Sequence, residues 1–355
     1  MYAIARPLLF ALDAEAAHRL TLAGLRAAHR LGLLKLLAAQ PVAQPAPQPV
    51  ELMGLTFANR IGLAAGFDKN ATCVDAMGAL GFGFVEVGTL TPRAQEGNPR
   101  PRVFRLPQAR AVINRMGFPN EGVAAASTRL RRRRYAGVCG VNIGKNAGTA
   151  LEQATGDYVA ALRAVYEYAD YVAINISSPN TQGLRRLQEG EQLRPLLQAL
   201  LENRAEMAER VGWSVPLVVK LSPDLAEDEL AATAQVIREL ALDGVIATNT
   251  TLERTAVAGL PHAERPGGLS GEPLRQRALG VVRRLRELLG PQLPLIGVGG
   301  ISSAADAAAM FGAGADLVQV YTGLIYRGPG LVRELVAADE QARRRRRPPG
   351  RHNPP

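Results

Sequence analysis

Cysteine is nearly absent from this 355-residue chain, which has only Cys73 and Cys139. They form no spaced pairs, so neither a disulfide-dependent secreted fold nor a zinc site is expected. Each reads as a small buried hydrophobe. No run of about 20 uncharged apolar residues occurs, which leaves no candidate transmembrane helix. Near the N-terminus Arg6 precedes the apolar stretch PLLFAL, but Asp13 and Glu15 cut it short. A cleaved signal peptide is therefore not expected. Acidic residues are missing from positions 341–355, which hold six arginines (343–347 and 351); without those six the net charge of +10 falls to +4. The body is only mildly basic. No aromatics alternate with the arginines of this tail, as they would on a nucleic-acid-binding surface, so no nucleic-acid partner is expected.

Hydrophobic residues make up 47% of the chain and charged residues 21%, a globular balance that allows one large α/β domain or two smaller ones. Residues 1–39 are helical in pattern. Asp13 is a good N-cap, with Glu15 in the turn beyond it. Leu20, Leu25, Leu31, Leu34 and Leu37 recur at spacings close to one helical face, with His18, Arg19, Arg26, Arg30 and Lys35 among them. Two readings fit: a helical pair packed on its own domain, or an amphipathic pair on a membrane surface with its basic residues toward lipid headgroups. QPVAQPAPQP at 40–49 is too proline-rich for helix and marks a linker.

From residue 50 to about 335, short β-rich runs end in polar or glycine residues, most of them separated by helix-length segments. The runs are 61–66, 84–89, 138–144, 171–177, 217–222, 244–250, 294–300 and 317–323. Eight buried strands alternating with helices predict an α/β fold, a (β/α)8 TIM barrel with a small N-terminal helical extension. An open doubly wound sheet competes, but its usual GxGxxG turn after the first strand is missing. Two connections, 90–137 and 250–275, are longer than a simple crossover, the mark of lids or binding loops.

One stretch organises the chain: YVAINISSPN, residues 171–180, where an apolar strand ends in Asn175, Ser177, Ser178 and Asn180, and Pro179 stops the ladder. The other strand ends offer Asp68, Lys69 and Asn70, then Thr89, Asn142 and Lys145. Lys220 follows the fifth strand, Thr248, Asn249 and Thr250 the sixth, and Gly299, Gly300 and Tyr321–Gly323 the last two. In a barrel these converge on one face. Any one of them could instead be a helix cap or a backbone-satisfying amide. The glycines after strands seven and eight suit a phosphate held by backbone N–H groups and a short helix N-terminus. No metal site is expected, since His29, His262 and His352 lie away from strand ends and no Cys–His pair exists. A polar heterocycle with a phosphate is implied, and FMN fits, with a strand-end lysine near its N1/O2 edge.

These motifs resemble the quinone-dependent (class 2) dihydroorotate dehydrogenases. The similar stretches are GLTFANRIGLAAGFDKN, GFVEVGTLTPR, GNPRPRVFRL, INRMGF, VNIGKN, INISSPNTQGLR, VVKLSPDL, VIATNTT, GGLSG, IGVGGI and QVYTGLIYRGP. They cover nearly all of 50–335, assigned as the catalytic domain, and the N-terminal pair matches as well. The resemblance implies oxidation of dihydroorotate to orotate in pyrimidine biosynthesis, with one FMN per chain as hydride acceptor and a membrane quinone as final acceptor. It implies a cofactor site of Ala64, Ala65, Gly66, Phe67, Asp68, Thr89, Asn142, Asn175, Lys220, Thr248, Gly271, Gly300, Tyr321 and Thr322. Substrate would be held by Lys69, by Asn114, Arg115, Met116, Gly117 and Phe118, and by Asn175, Asn180, Asn249 and Thr250. Ser178 takes the catalytic base position, with Thr181 as a relay candidate. The helical pair would cap a quinone tunnel lined by His18, Arg105 and Tyr321. A peripheral location on the cytoplasmic face of the bacterial inner membrane is implied, against an anionic membrane surface, as a monomer or weak homodimer.

A soluble relative using fumarate or a nicotinamide cofactor would carry cysteine at 178 and lack the N-terminal helices; this sequence shows the reverse. Three features depart from the family. Pro119 stands where asparagine is more frequent, removing an N–H beside the substrate loop. The run RLRRRR at 129–134 reads as a solvated helix end. Residues 336–355 read as the end of the last helix followed by a basic disordered tail, with attraction to anionic lipid.

Overall fold

The computed structural model describes residues 2–34, 49–188 and 190–346. Two helices come first, Tyr2–Ala11 (α1) and Ala14–Arg30 (α2). Asp13 separates them as an N-cap, its Oδ1 accepting the backbone N–H groups of Glu15 and Ala16 at 3.0 and 2.9 Å. Those are donors that a first helical turn leaves free. Neither helix buries a leucine stripe. α1 has no buried residue and α2 only Ala17, whereas Ile4, Leu8, Leu20 and Leu31 are 56–77% exposed. Most of the linker expected at 40–49 lies outside the described residues.

Val50–Leu52 (β1) and Leu55–Phe57 (β2) form an antiparallel hairpin. Ile61–Leu63 (β3) and Phe84–Leu90 (β4) then open a barrel, which the chain leaves for Val103–Leu106 (β5) and Ala111–Asn114 (β6). Val138–Ile143 (β7), Tyr171–Asn175 (β8), Leu217–Leu221 (β9) and Gly244–Ala247 (β10) return to it. Gly268–Gly271 (β11) lies outside, and Leu295–Val298 (β12) and Leu317–Val320 (β13) complete the ring. The closed order is β10-β12-β13-β3-β4-β7-β8-β9, with every pair parallel. Each of the eight expected runs supplies one strand, so the (β/α)8 expectation holds. Several strands stop earlier than their runs, because Gly66, Gly299 and Gly300 have φ of 96°, 137° and 73°, a conformation that continues no strand.

Successive residues alternate across a strand, so every second side chain faces the barrel interior. There Phe84, Val138, Tyr171, Val218, Ile246, Ile296 and Leu317 form one apolar cluster. Phe57 of the hairpin closes it at one end, edge-on to Phe84 with ring centroids 5.3 Å apart. Two strand glycines make room for these rings. A Cβ on Gly62 would lie 2.3 Å from Phe84 Cζ, and one on Gly140 2.1 Å from Tyr171 Cζ.

The two long connections build something that periodicity did not announce. β5 and β6 form a hairpin within 90–137, and β11 from the other connection adds to β6, pairing Gly268 with Asn114 and Gly271 with Ala111. This antiparallel sheet ties the mouth of the barrel to the N-terminal helices. Arg105 of β5 donates to the carbonyls of Leu9 (3.0 Å) and Leu12, near the end of α1, where a cation satisfies free acceptors. On the barrel side Tyr326 Oη donates to Ala111 O at 2.8 Å, and α1 packs Phe10 against Tyr326 at 5.3 Å. The arginine run at 129–134 is more than a solvated helix end, since Arg133 reaches Asp170 at 2.7 Å and Tyr168 O at 2.9 Å. The last helix, Gly330–Arg346, includes Arg343–Arg346, so these four arginines are helical; residues 347–355 lie outside the described set.

Candidate active site

The carboxyl ends of the barrel strands face a cleft of about 1020 Å³. Its floor and walls bring together most residues expected from the strand ends: Ala64, Ala65, Gly66 and Lys69 after β3, Thr89 near the end of β4, Asn175 at the end of β8 and Ser178 and Asn180 beyond it. Lys220, Thr248, Asn249 and Thr250 face them, with Gly299, Gly300, Tyr321 and Thr322 closing the ring. Asn114, Met116, Gly117, Phe118 and Pro119 come from the loop after β6, and Gly271 from β11.

The amides of this cleft are wired to one another. Asn175 Nδ2 donates to Thr89 Oγ1 at 2.9 Å and to Asn142 Oδ1 at 3.2 Å, while Asn249 Nδ2 donates to Asn175 Oδ1 at 3.2 Å and Ser177 Oγ at 3.0 Å. Such mutual bonding fixes each side chain's rotamer before any ligand arrives. Asn180 Nδ2 donates to Asn114 Oδ1 at 3.2 Å, joining the YVAINISSPN stretch to the β6 loop. Ser178 is buried, and its Oγ accepts the Asn180 N–H at 3.2 Å. Among the described residues no histidine or carboxylate is hydrogen-bonded to it.

Beneath the cleft lies a residue that motif reading passed over. Glu86 is fully buried in the barrel interior. Its carboxylate accepts from Asn142 Nδ2 (2.9 Å), Tyr171 Oη (2.8 Å) and Gln319 Nε2 (2.7 Å), and Lys220 Nζ stands 3.9 Å away. β4, β8 and β13 are not neighbours in the barrel, so these groups meet across its axis. Burial lowers the Lys220 pKa and the Glu86 charge opposes that. The sequence signal was available: an acid two residues from Phe84 on a strand of alternating inward positions.

Several expected residues lie off this cleft, Asn70, Ser177 and Gly323 among them. Asp68 is fully buried and accepts the backbone N–H groups of Thr72 (2.9 Å) and Cys73 (2.6 Å), so its carboxylate shapes the turn after β3. Arg115 turns outward and donates to Pro101 O. Asn142 sits one layer below, between Glu86 and Asn175. Lys145 donates to Asn146 O and Thr149 O, away from the mouth. Phe67 belongs to a second cleft. Pro119 is accommodated by Phe118 at φ 53°, and the next residue, Asn120, donates from Nδ2 to Phe118 O at 2.9 Å.

That second cleft, about 1380 Å³, opens between α1, α2 and the barrel, and its lining is mostly apolar. Leu9, Phe10, Leu20, Leu25, Phe67, Leu324 and Ile325 contribute, and His18, Arg105 and Tyr321 line it too. The ring of His18 meets Phe67 edge-on at 5.2 Å, and Phe67 meets Tyr321 at 5.8 Å. Burial, helped by the Lys69 charge, pushes the His18 pKa down to about 3, so its imidazole is neutral at physiological pH. Lys69, Asn114, Met116 and Tyr321 line both clefts and form the wall between them. Lys69 Nζ donates to Gly66 O at 2.6 Å, and burial pulls its pKa down to about 8.

A family model described as dihydroorotate dehydrogenase matches residues 49–338. The chain is 54% identical over 341 residues to a protein of Chromobacterium violaceum named dihydroorotate dehydrogenase (quinone), covering 96% of this chain and 98% of that one. It is 55% identical over 352 residues to a protein of the same name from Stenotrophomonas maltophilia, covering 99% and 98%. Among solved structures, DHODH from Eimeria tenella in complex with ferulenol superposes with a TM-score of 0.82 at 36% identity, over 92% of each chain. With a match that spans barrel, antiparallel sheet and most of the last helix, the chain belongs to the dihydroorotate dehydrogenase family.

Proposed function

We propose that this chain oxidises dihydroorotate to orotate in the polar cleft and delivers the electrons to a quinone in the apolar one. The observation that carries the reading is the shared wall: two clefts of opposite character touch only through Lys69, Asn114, Met116 and Tyr321. A water-soluble anion and a lipid-soluble acceptor can thus be served from opposite sides.

The residues present fit FMN. Gly271, Gly299 and Gly300 all have positive φ, and a Cβ on any of them would come within 2.3–2.7 Å of a neighbour, so bare backbone lines that end of the cleft. The lining hydroxyl of Thr250 and the Gln319 Oε1 are buried without a hydrogen-bond partner, acceptors or donors left over for a ligand. In this reading Ala64, Ala65, Gly66, Thr89, Asn175, Lys220, Thr248, Gly271, Gly300, Tyr321 and Thr322 hold the cofactor. When bound, FMN supplies the hydride acceptor and afterwards the electron source for quinone.

The chain's own residues do the rest. Lys69 provides a positive charge for the orotate carboxylate, and Asn114, Asn175, Asn180 and Asn249 read the ring's carbonyls and N–H groups. Ser178 takes the proton from one substrate carbon while the neighbouring carbon loses its hydride. A serine is a weak base, so it needs water excluded and a proton exit. Thr181, buried with a partnerless Oγ1, is the relay we assign. In the apolar cleft Arg105 and Tyr321 border the quinone beside a neutral His18. The exposed Ile4, Leu8, Leu20 and Leu31 give the helices an apolar face suited to a peripheral position on the membrane; no helix among the described residues is long and apolar enough to cross it. The cytoplasmic face of the bacterial inner membrane offers both a soluble anion and a quinone pool.

Anaerobic stopped-flow measurement tests the whole reading. Dihydroorotate should bleach a bound flavin, and a short-chain quinone should restore its colour. Purified protein without flavin, or flavin that dihydroorotate cannot reduce, would sink it. A pH series adds a second expectation. With a pKa near 8, Lys69 is cationic below about pH 7 and loses its proton as pH rises through that value. Orotate keeps its carboxylate throughout, so its affinity should be full below pH 7 and weaken by up to about tenfold per unit above 8. Calorimetric titration of orotate at pH 6.5 and 9 measures this; Lys69→Met should remove the dependence, and a flat profile in the unmutated chain would refute the charge role.

A further inference from the structure

The one acidic residue of α2, Glu15, lines the apolar cleft. Its carboxylate is gripped by Arg102, with Nε donating to Oε2 at 3.1 Å and Nη2 to Oε1 at 2.7 Å. A two-point bond of this kind fixes direction as well as distance. The Arg102 side chain is only 4% exposed. Its remaining nitrogen, Nη1, donates to the backbone oxygens of Glu96 (2.6 Å) and Asn98 (2.9 Å). Arg102 therefore fastens α2 to the 95–98 loop.

That loop in turn carries the substrate loop. Asn98 N donates to Met116 O at 2.9 Å, and its side-chain Nδ2 donates to Arg115 O at 2.9 Å and Asn180 O at 3.1 Å. Gly117 packs directly on the same amide, where a Cβ would lie 2.7 Å from Asn98 Cγ. The Arg102 backbone closes the circuit, its O accepting from Arg115 N at 2.8 Å. An unbroken run of hydrogen bonds thus leads from a helix outside the barrel to the backbone that shapes the polar cleft. Glu15 also faces Lys69, where its charge favours the ammonium and that of Arg102 opposes it.

We propose that Glu15 is a positioning residue for the polar cleft, acting through Arg102 and Asn98 on Met116, Gly117 and Asn180, so that the helical extension helps build the substrate-anion site as well as bordering the apolar cleft. The inference rests on the reading of the polar cleft as an orotate site. Loss of the Glu15 carboxylate frees Arg102 to move, the 95–98 loop loosens, and the substrate loop loses its preset geometry.

The test is calorimetric titration of the full-length holoenzyme with orotate, using Glu15→Gln, Asn98→Ser and the double variant. Glu15→Gln should raise the orotate Kd about tenfold, within the range typical of coupled sites. The double variant should be no weaker than about the weaker single one, because both changes cut the same path. A Kd within twofold of the unmutated chain for Glu15→Gln, or fully multiplicative effects in the double variant, would overturn the proposal. Should Glu15→Gln yield no folded holoenzyme, Glu15→Asp, which keeps the charge and shortens its reach, is read by the same criteria. If the unmutated holoenzyme fails to bind orotate at all, the functional reading falls and this inference with it; binding that ignores Glu15 overturns only the latter.

Discussion

Ser178→Ala should slow reduction of the bound flavin by dihydroorotate by roughly 10²–10⁴-fold, the usual contribution of a positioned general base. The cofactor should stay in place. Ser178 sits on the loop after β8, and removing its Oγ costs one local bond, the Asn180 N–H acceptor at 3.2 Å. The bare backbone assigned to the cofactor lies on other elements, at Gly271, Gly299 and Gly300. Flavin content and orotate affinity should therefore remain near those of the unmutated protein while the first half-reaction collapses and reoxidation by quinone does not. Ser178→Cys restores an ionisable group and should recover part of the rate. Turnover of the alanine variant close to normal would mean that another group takes the proton.

Glu86→Ala should destabilise the folded chain by about 3–5 kcal/mol, the range for removing one partner of a buried charge pair. Lys220 would keep its buried ammonium with no carboxylate beside it, and Tyr171, Gln319 and Asn142 would each lose an acceptor. The pH dependence has a definite sign. Burial already holds the Lys220 pKa below that of a free lysine, and Glu86 is what offsets it. Without Glu86 the folded pKa drops further, so the penalty is complete at pH values below it and is relieved as pH rises through it and the lysine becomes neutral. Denaturant melts at pH 7 and pH 9 should show the deficit shrinking at the higher pH. Glu86→Gln keeps the shape and most of the hydrogen bonds and should cost less. An alanine variant as stable as the parent at both pH values would show that the interior charge pair contributes nothing.

The helical extension shows where reading along the chain reaches its limit. Asp13 announces an N-cap and the leucines announce helices, and both are found. Which face those leucines use could not be read from spacing, because the same amphipathic pattern serves a core or a membrane. The structure leaves Ile4, Leu8, Leu20 and Leu31 outside and a cleft beneath. Removal of the pair would take Glu15 with it, so on the coupling proposed above truncation should weaken orotate binding in the polar cleft as well as dismantle the apolar one.

Within the barrel most of the site was legible, because a parallel strand carries its side chains to a fixed end and the polar residues of eight such ends must converge. Asn175, Ser178, Lys220 and Thr248 needed only that rule. Asp68 did not follow it, since its carboxylate is consumed by the backbone of its own turn, and Arg115 turns away from the cleft its neighbours line. The pairing of β11 with the 103–114 hairpin escaped notice because it joins segments more than 150 residues apart, a contact that no local period encodes.

The eight-stranded α/β barrel and many of the residues at its mouth were thus legible in the sequence itself, through the β-rich runs and the glycines and amides that end them. Only the tertiary structure decided which polar groups face each other: Glu86 against Lys220 across the barrel axis, Glu15 against Arg102 between helix and loop, and Lys69 with Tyr321 in the wall between two clefts. Local pattern follows from backbone geometry repeated every few residues. Charge pairing depends on distances set after the whole chain has closed, and that closure is where the two clefts acquire a common wall.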